Sequence, residues 1–405
     1  MVILAGLVSG RRSPLGIPAD RWPALIELAL DHGLGPMLWW VIGNSGIDPG
    51  SDPAWMPLVQ SIREATIHSL LLERARRQIA DVLAAAGLPV VWLKGAALAH
   101  TVYPQPTLRP MLDLDLLVPF APRLAALARL ESLGFRRWGA YSFDAAPALL
   151  HHFTYHYSLR GGPSDRVAVE LHFHLLDKIR AKPLLSPAQL RWFWTQTRPV
   201  TDDRLSFLAL KPEAHLLYLC AHTLLQHGEA DLRLLRYFDL HQLITHAGLE
   251  TRLSGDRGAA PSQFVMAAAS PLDWRLVVDR AVALGWADAV ARALSSAVAW
   301  FDTAVPPWVL PELRERCPPG EDASVVAERQ ASANRWDELR AALATMSAGD
   351  RLRALRALAF PSAAHLRHRY SVAPNVPAWP RYPWLWLDQG REIVDWLRRS
   401  RRTAF

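Results

Sequence analysis

Leu112-Asp113-Leu114-Asp115-Leu116-Leu117-Val118 alternates leucine with acid through its first five positions and then turns wholly apolar. That is the two-residue period of a strand, so Asp113 and Asp115 share one face while the leucines enter a core on the other. Two carboxylates are thereby forced together. At a separation of about 5 Å and an effective dielectric near ~20, their repulsion is about 3 kcal/mol, a cost that a bound divalent cation removes. Mg²⁺, or Mn²⁺, is the natural occupant, since it takes one or two carboxylates and completes its shell with phosphate oxygens. On this reading, changing either acid to asparagine leaves stability unchanged or raises it. An edge strand with a solvated polar face would show the same alternation, so the neighbouring sequence has to decide.

Upstream, Gly87 and Pro89 end a long helical tract that begins at Pro53, and Val90-Val91-Trp92-Leu93 follows as a short strand buried on both faces. After Lys94-Gly95 a helix follows from Ala96 to about Val102. Glycine permits close backbone approach to a phosphate, and a helix start offers unpaired N–H groups and a positive dipole end. Alone this is an ordinary strand-to-helix turn; beside two acids it reads as a phosphate seat. Downstream, Val167-Ala168-Val169-Glu170-Leu171-His172-Phe173-His174 places Glu170, His172 and His174 on one polar face. If this strand lies beside the one carrying Asp113 and Asp115, three carboxylates converge, enough for two metal ions roughly 3.5–4 Å apart. His172 and His174 read as neighbours of that site and not as ligands.

These residues together resemble the family of uncharacterised nucleotidyltransferases within the polymerase-β superfamily: Leu93-Lys94-Gly95-Ala96-Ala97-Leu98, Tyr103-Pro104, Arg109, Asp113-Leu114-Asp115-Leu116-Leu117-Val118 and Glu170-Leu171-His172. The superfamily pattern is a glycine turn, an acid-x-acid strand and a third acid on a later strand. The resemblance is most specific over residues 79–175 and looser through Pro212 to Leu243. It implies that Gly95, Ala96 and the helix start cradle a nucleoside triphosphate, that Asp113, Asp115 and Glu170 hold the metal ions, and that Glu170 activates an acceptor hydroxyl. The position after the first glycine usually carries serine or a second glycine. Here it is Ala96, so charge from Lys94 or Arg109 takes the place of the missing hydroxyl. Members of the family resemble accessory proteins of polysaccharide and peptide natural-product pathways, which leaves the acceptor open.

Helical spacing governs most of the remaining chain. The fold class is therefore α+β, a small mixed β-sheet nucleotidyltransferase core embedded in a mostly helical protein. The expected blocks are an N-terminal helical region over 1–88, the core over 89–185, a helical domain over 186–310 and a C-terminal helical extension over 311–405. On the helix from Ala230 to His246, Leu232, Leu235, Arg236, Asp239 and Leu243 form one stripe. Arg236 and Asp239 either pair with each other, as their apolar neighbours favour, or face the acceptor together with His222. His215 belongs to the core.

Composition narrows the class. Hydrophobic residues at 51% and charged residues at 20% describe a folded globular chain, and 405 residues exceed the usual size of one core. Cys220 and Cys317 are too few for a disulfide framework and lack metal-binding spacing, which fits a reducing cytoplasm. No basic residue precedes the apolar N-terminus, and no apolar run approaches the roughly 20 residues of a membrane span. A formal charge of +7 suits an anionic partner. The leading function is transfer of a nucleoside monophosphate from a nucleoside triphosphate (NTP) to a hydroxyl of a small molecule, sugar, peptide or protein. An RNA acceptor is the alternative within enzymes, although no RNA-binding motif accompanies the charge. A non-catalytic binding protein with the same fold is the third reading. The tail, with Trp384, Trp386, Trp396 and Arg398, Arg399, Arg401 and Arg402, reads as a terminal helix that docks its tryptophans on the protein.

Overall fold

The computed structural model describes residues 1–402 except 49, 51, 139–145, 163–165, 180–181, 203–204, 229–232, 247–271, 318–334 and 374. The N-terminal helices are α1 (Val2–Val8), α2 (Trp22–Asp31), α3 (Gly35–Gly43) and α4 (Met56–Ala85). Gly87 adopts a positive φ of 66° just past α4, where its N–H and that of Leu88 close on the carbonyls of Ala84 and Leu83. This left-handed stop returns the chain towards the sheet.

The strands follow: β1 (Val91–Trp92), β2 (Asp113–Leu117), β3 (Phe135–Arg137), β4 (His156–Gly161), β5 (Val167–His172), the small hairpin β6 (Lys178–Ile179) and β7 (Lys182–Pro183), β8 (Thr197–Asp202) and β9 (Leu205–Leu210). Seven of them form one sheet in the order β3-β4-β5-β2-β1-β9-β8. It is mixed: β2 runs parallel to β5 and antiparallel to β1, while β1 runs parallel to β9. The strand bearing Asp113 and Asp115 thus occupies the centre. Strands β8 and β9 lie in a stretch whose sequence reads as helical; they hide there because they are a short antiparallel pair wedged between α7 (Pro187–Thr195) and α8 (Pro212–Ala221).

The two faces of the sheet are buried differently. On one, Trp92, Leu114, Leu116, Tyr157, Leu159, Val169 and Leu171 pack against Leu72, Ala75, Ile79 and Leu83 of α4 and Leu127 and Leu130 of α6 (Arg123–Ser132). On the other, Val91, Leu93 and Leu117 join a larger core with the N-terminal helices, α8, α9 (Leu234–His246), α10 (Trp274–Leu284), α11 (Ala287–Phe301) and α12 (Val309–Glu315). The acids project from this second face, so helices from both halves of the chain surround them. Leu112, expected in the core, precedes the strand and is 76% exposed.

Beyond α12 the described chain is helical: α13 (Arg335–Thr345), α14 (Ala348–Ala359), α15 (Ala363–Arg369) and α16 (Tyr382–Arg402). Of the tail tryptophans, Trp386 donates its indole N–H to the Ala359 carbonyl but stays 45% exposed, and Trp384 is exposed as well. Neither is docked as expected, and the side chain of Trp396 lies outside the described residues. Among the described residues no helix is long and apolar enough to cross a membrane.

Candidate active site

The parallel register of β2 and β5 sets Asp115 directly beside Glu170 and Asp113 beside Ala168. Paired residues in adjacent strands share a face, so Asp113, Asp115 and Glu170 converge as their alternation implies. Helix α5 (Lys94–Thr101) starts against them. Lys94, its first residue, has a φ of 45°, a left-handed conformation rare for a residue with a Cβ. Its ammonium donates to Asp115 Oδ1 at 2.8 Å and lies 3.8 Å from Glu170 Oε2. Strain of this kind persists only where surrounding contacts enforce it, and here those contacts are two carboxylates.

His172 is a second internal cation partner. Its ring is fully buried, with Nε2 at 2.9 Å from Asp115 Oδ1 and 3.2 Å from Glu170 Oε2. Burial opposes its protonation, but hydrogen bonds to Asp115 and Glu170 raise its pKa. Burial likewise works against charge on Asp115, yet Lys94 and His172 hold that carboxyl far below its ordinary range. Glu170 is lowered too, because His172 and His156 outweigh its burial. Asp113 is the exception: burial, Asp115 and Glu170 push it up to about 7 against a weaker pull from Lys94. Lys94 and His172 both contact Asp115 and Glu170, and among the described residues no cation is in contact with Asp113.

The roof comes from α8 and the π-helical turn that continues it, His222–His227. Such turns widen a helix by one residue and recur at functional sites. Tyr218 is fully buried with no hydrogen-bond partner for its hydroxyl, and it senses Asp115, Glu170 and Asp113 electrostatically. His222, its ring tilted against that of Tyr218 with centroids 5.7 Å apart, is held neutral chiefly by burial and then by the charge of Lys94. Tyr155, beside Lys94 and Glu170, completes the wall. His222 is thus within electrostatic reach of Lys94 and Asp115, and His215 is core, its pKa lowered to about 3 by burial.

Other expected residues stand elsewhere. Arg109 donates to both carboxylate oxygens of Asp239 at 3.2 and 2.7 Å, and the Tyr103 hydroxyl donates to the same group at 2.7 Å. Its remaining terminal nitrogen donates to the Pro110 carbonyl. Arg109 is thus an ion-pair partner joining the loop before β2 to α9, and not a free phosphate ligand. Asp239, 2% exposed, is withdrawn from the acceptor side by the same bond, and its close partners are Arg109 and Tyr103, not the Arg236 that helical spacing suggested. Arg236 is half-buried on α9.

Gly95 also has a different reason from the one expected. A Cβ there would overlap the Arg109 guanidinium and Met111, so glycine admits side-chain packing behind the helix start, while Lys94 carries the left-handed turn. Ala96 buries its methyl in the core beneath the sheet. A hydroxyl at that position would face apolar side chains, so the absent serine removes nothing from the acid-lined face. No side chain caps the α5 N-terminus, and its N–H groups stay available to an anion.

Tyr218, His172, His156 and Tyr155 were not singled out as functional from sequence. Tyr218 carried a usable signal, since it lies four residues before His222 on the same helical face. His156 carried none, because its position follows from the pairing register of β4 with β5.

The family model described as uncharacterised nucleotidyltransferase matches residues 18–253, more than half of the chain. The chain belongs to the uncharacterised nucleotidyltransferase family. No curated protein matches it. The matched span holds the entire sheet, the acids, α5, α8 and the π-helical turn, and ends before α10.

Proposed function

We propose that this nucleotidyltransferase moves a nucleoside monophosphate from an NTP to a hydroxyl-bearing acceptor and releases pyrophosphate, with Mg²⁺ or Mn²⁺ as cofactor. The observation that carries the reading is the convergence of Asp113, Asp115 and Glu170 on one face of β2 and β5, with Lys94 and His172 contacting only the last two. Hard carboxylate oxygens with a surplus negative charge suit a hard divalent cation. Asp113 and Asp115 would hold it, and when bound it neutralises charge on the triphosphate and on the departing pyrophosphate.

The chain's own groups supply the rest. The α5 N-terminus directs backbone N–H groups and its positive dipole end towards the phosphates. Lys94 exchanges Asp115 for a phosphate oxygen as the triphosphate enters, keeping its charge paired throughout. The acceptor oxygen attacks the α-phosphorus, its proton passes to Glu170, and the bond from the α-phosphorus to the bridging oxygen of the pyrophosphate breaks. Tyr218 and His222, neutral and buried, exclude water from the roof and offer hydrogen bonds to acceptor or phosphate. Catalysis of this kind rests on positioning and charge stabilisation.

Equilibrium binding of a non-hydrolysable NTP analogue tests the reading. Affinity should need the divalent ion and fall at least about tenfold in Asp113→Asn, a loss of about 1.4 kcal/mol or more. Equal binding in a chelator, or by the variant, refutes it.

A further inference from the structure

Two imidazoles flank Glu170 and take no part in the proposed transfer. His156 on β4 and His172 on β5 are cross-strand partners with ring centroids 5.1 Å apart. His156 Nε2 lies 3.6 Å from Glu170 Oε1, and His172 Nε2 lies 3.2 Å from Glu170 Oε2. One ligand atom from each of the three residues falls within 4.8 Å of the others. Bonds of about 2.0–2.2 Å to a shared ion span most of that separation, and small side-chain rotations close the remainder.

The surroundings point the same way. His156 Nδ1, His172 Nδ1 and Tyr218 Oη are all buried without a hydrogen-bond partner. Orphaned buried polar atoms are costly and uncommon, and each of the two imidazoles carries one. Tyr218 is fully buried and lies close enough to Asp115 and Glu170 to sense their charge. His156 Nε2 also meets the Ser158 hydroxyl oxygen at 3.0 Å, a contact that an incoming cation would displace.

We propose that His156, Glu170 and His172 form a cation seat of mixed nitrogen and oxygen donors, distinct in chemistry from the all-oxygen pair Asp113 and Asp115. Mg²⁺ demands oxygen ligands in near-octahedral array, whereas imidazole suits first-row transition ions. The seat therefore takes Mn²⁺, Co²⁺ or Zn²⁺ in preference to Mg²⁺. Three protein ligands leave a coordination position open, which lies beside the residue assigned to the acceptor's proton. That last placement rests on the transfer reading; the binding claim does not.

The test uses the full chain, stripped of metal and without nucleotide. Pulsed electron paramagnetic resonance of protein loaded with one equivalent of Mn²⁺ should show nitrogen-14 coupling from imidazole. Visible absorption on adding Co²⁺ should show bands of a nitrogen-containing low-coordinate site, with Co²⁺ bound at least about a hundredfold more tightly than Mg²⁺. His156→Ala should weaken Co²⁺ binding at least about tenfold, a change of the size seen even for outer-shell partners, and Asp113→Asn should change it less than about threefold. Absence of nitrogen coupling in the wild-type protein, Mg²⁺ competing on equal terms, or an unchanged Co²⁺ affinity in His156→Ala overturns the proposal. Without nucleotide, a failed transfer reading leaves these results untouched. Conversely, lost nitrogen coupling leaves transfer resting on Asp113 and Asp115.

Discussion

Replacing Asp113 by asparagine should stabilise the metal-free protein, and replacing Asp115 should do the reverse. Asp113 is pushed up from an ordinary 3.8 to about 7 by burial and by the neighbouring acids. Between these values the folded state holds a proton that the unfolded chain has released, so stability falls as pH rises across the window. At about 1.4 kcal/mol per pH unit, the full cost above pH 7 has a ceiling of about 4 kcal/mol. Asparagine keeps the shape and carries no charge, so the variant should match wild type near pH 4 and exceed it above pH 7. Asp115 differs because Lys94 and His172 hold it at 2.8 and 2.9 Å. Neutralising it leaves Lys94 and His172 with Glu170 as their one remaining carboxylate, at a cost of up to about 3–5 kcal/mol. The sequence-based expectation that both asparagines are neutral or stabilising is therefore kept for Asp113 and revised for Asp115. Thermal midpoints in chelator from pH 4 to 8 read both effects. An Asp113→Asn protein that melts earlier than wild type at pH 8, or an Asp115→Asn protein that melts with it, would refute the charge balance.

Lys94→Met should weaken NTP affinity about tenfold through loss of a charge-assisted hydrogen bond, while divalent-cation affinity without nucleotide should rise because a competing cation has gone; calorimetric titration reads both. Asp239→Ala leaves the buried Arg109 unpaired and should cost about 3–5 kcal/mol in thermal or denaturant unfolding. Arg109→Lys should recover little of that, since an ammonium cannot reproduce the two-pronged contact with Asp239. Gly95→Ala forces its new methyl against Arg109 and Met111 and should cost about 1–3 kcal/mol, seen as a lower unfolding midpoint.

The centre of the fold was legible because β2 and β5 each alternate apolar and polar residues, so alternation marks Asp113, Asp115 and Glu170 without knowledge of the pairing. The end of α4 at Gly87 was legible because glycine past a helix terminus followed by proline has few other uses. What was not legible depends on which strand lies next to which. His156 reaches Glu170 only through the antiparallel register of β4 and β5, and Arg109 reaches Asp239 across 130 residues of sequence. Spacing along one helix suggested Arg236 for that acid, and a partner from a distant loop took the place. Strands β8 and β9 were hidden because two short apolar runs between helices have no periodicity strong enough to separate them from helix.

The central claim is transfer, and label from an α-labelled NTP tests it most directly. Protein, divalent ion and each labelled NTP are incubated with and without host extract, and the destination of the label is followed. The account predicts acceptor-dependent incorporation with release of pyrophosphate, abolished by chelator, by Asp113→Asn and by Asp115→Asn. Incorporation that survives both substitutions would contradict it, as would label that never leaves the triphosphate in the presence of extract and metal.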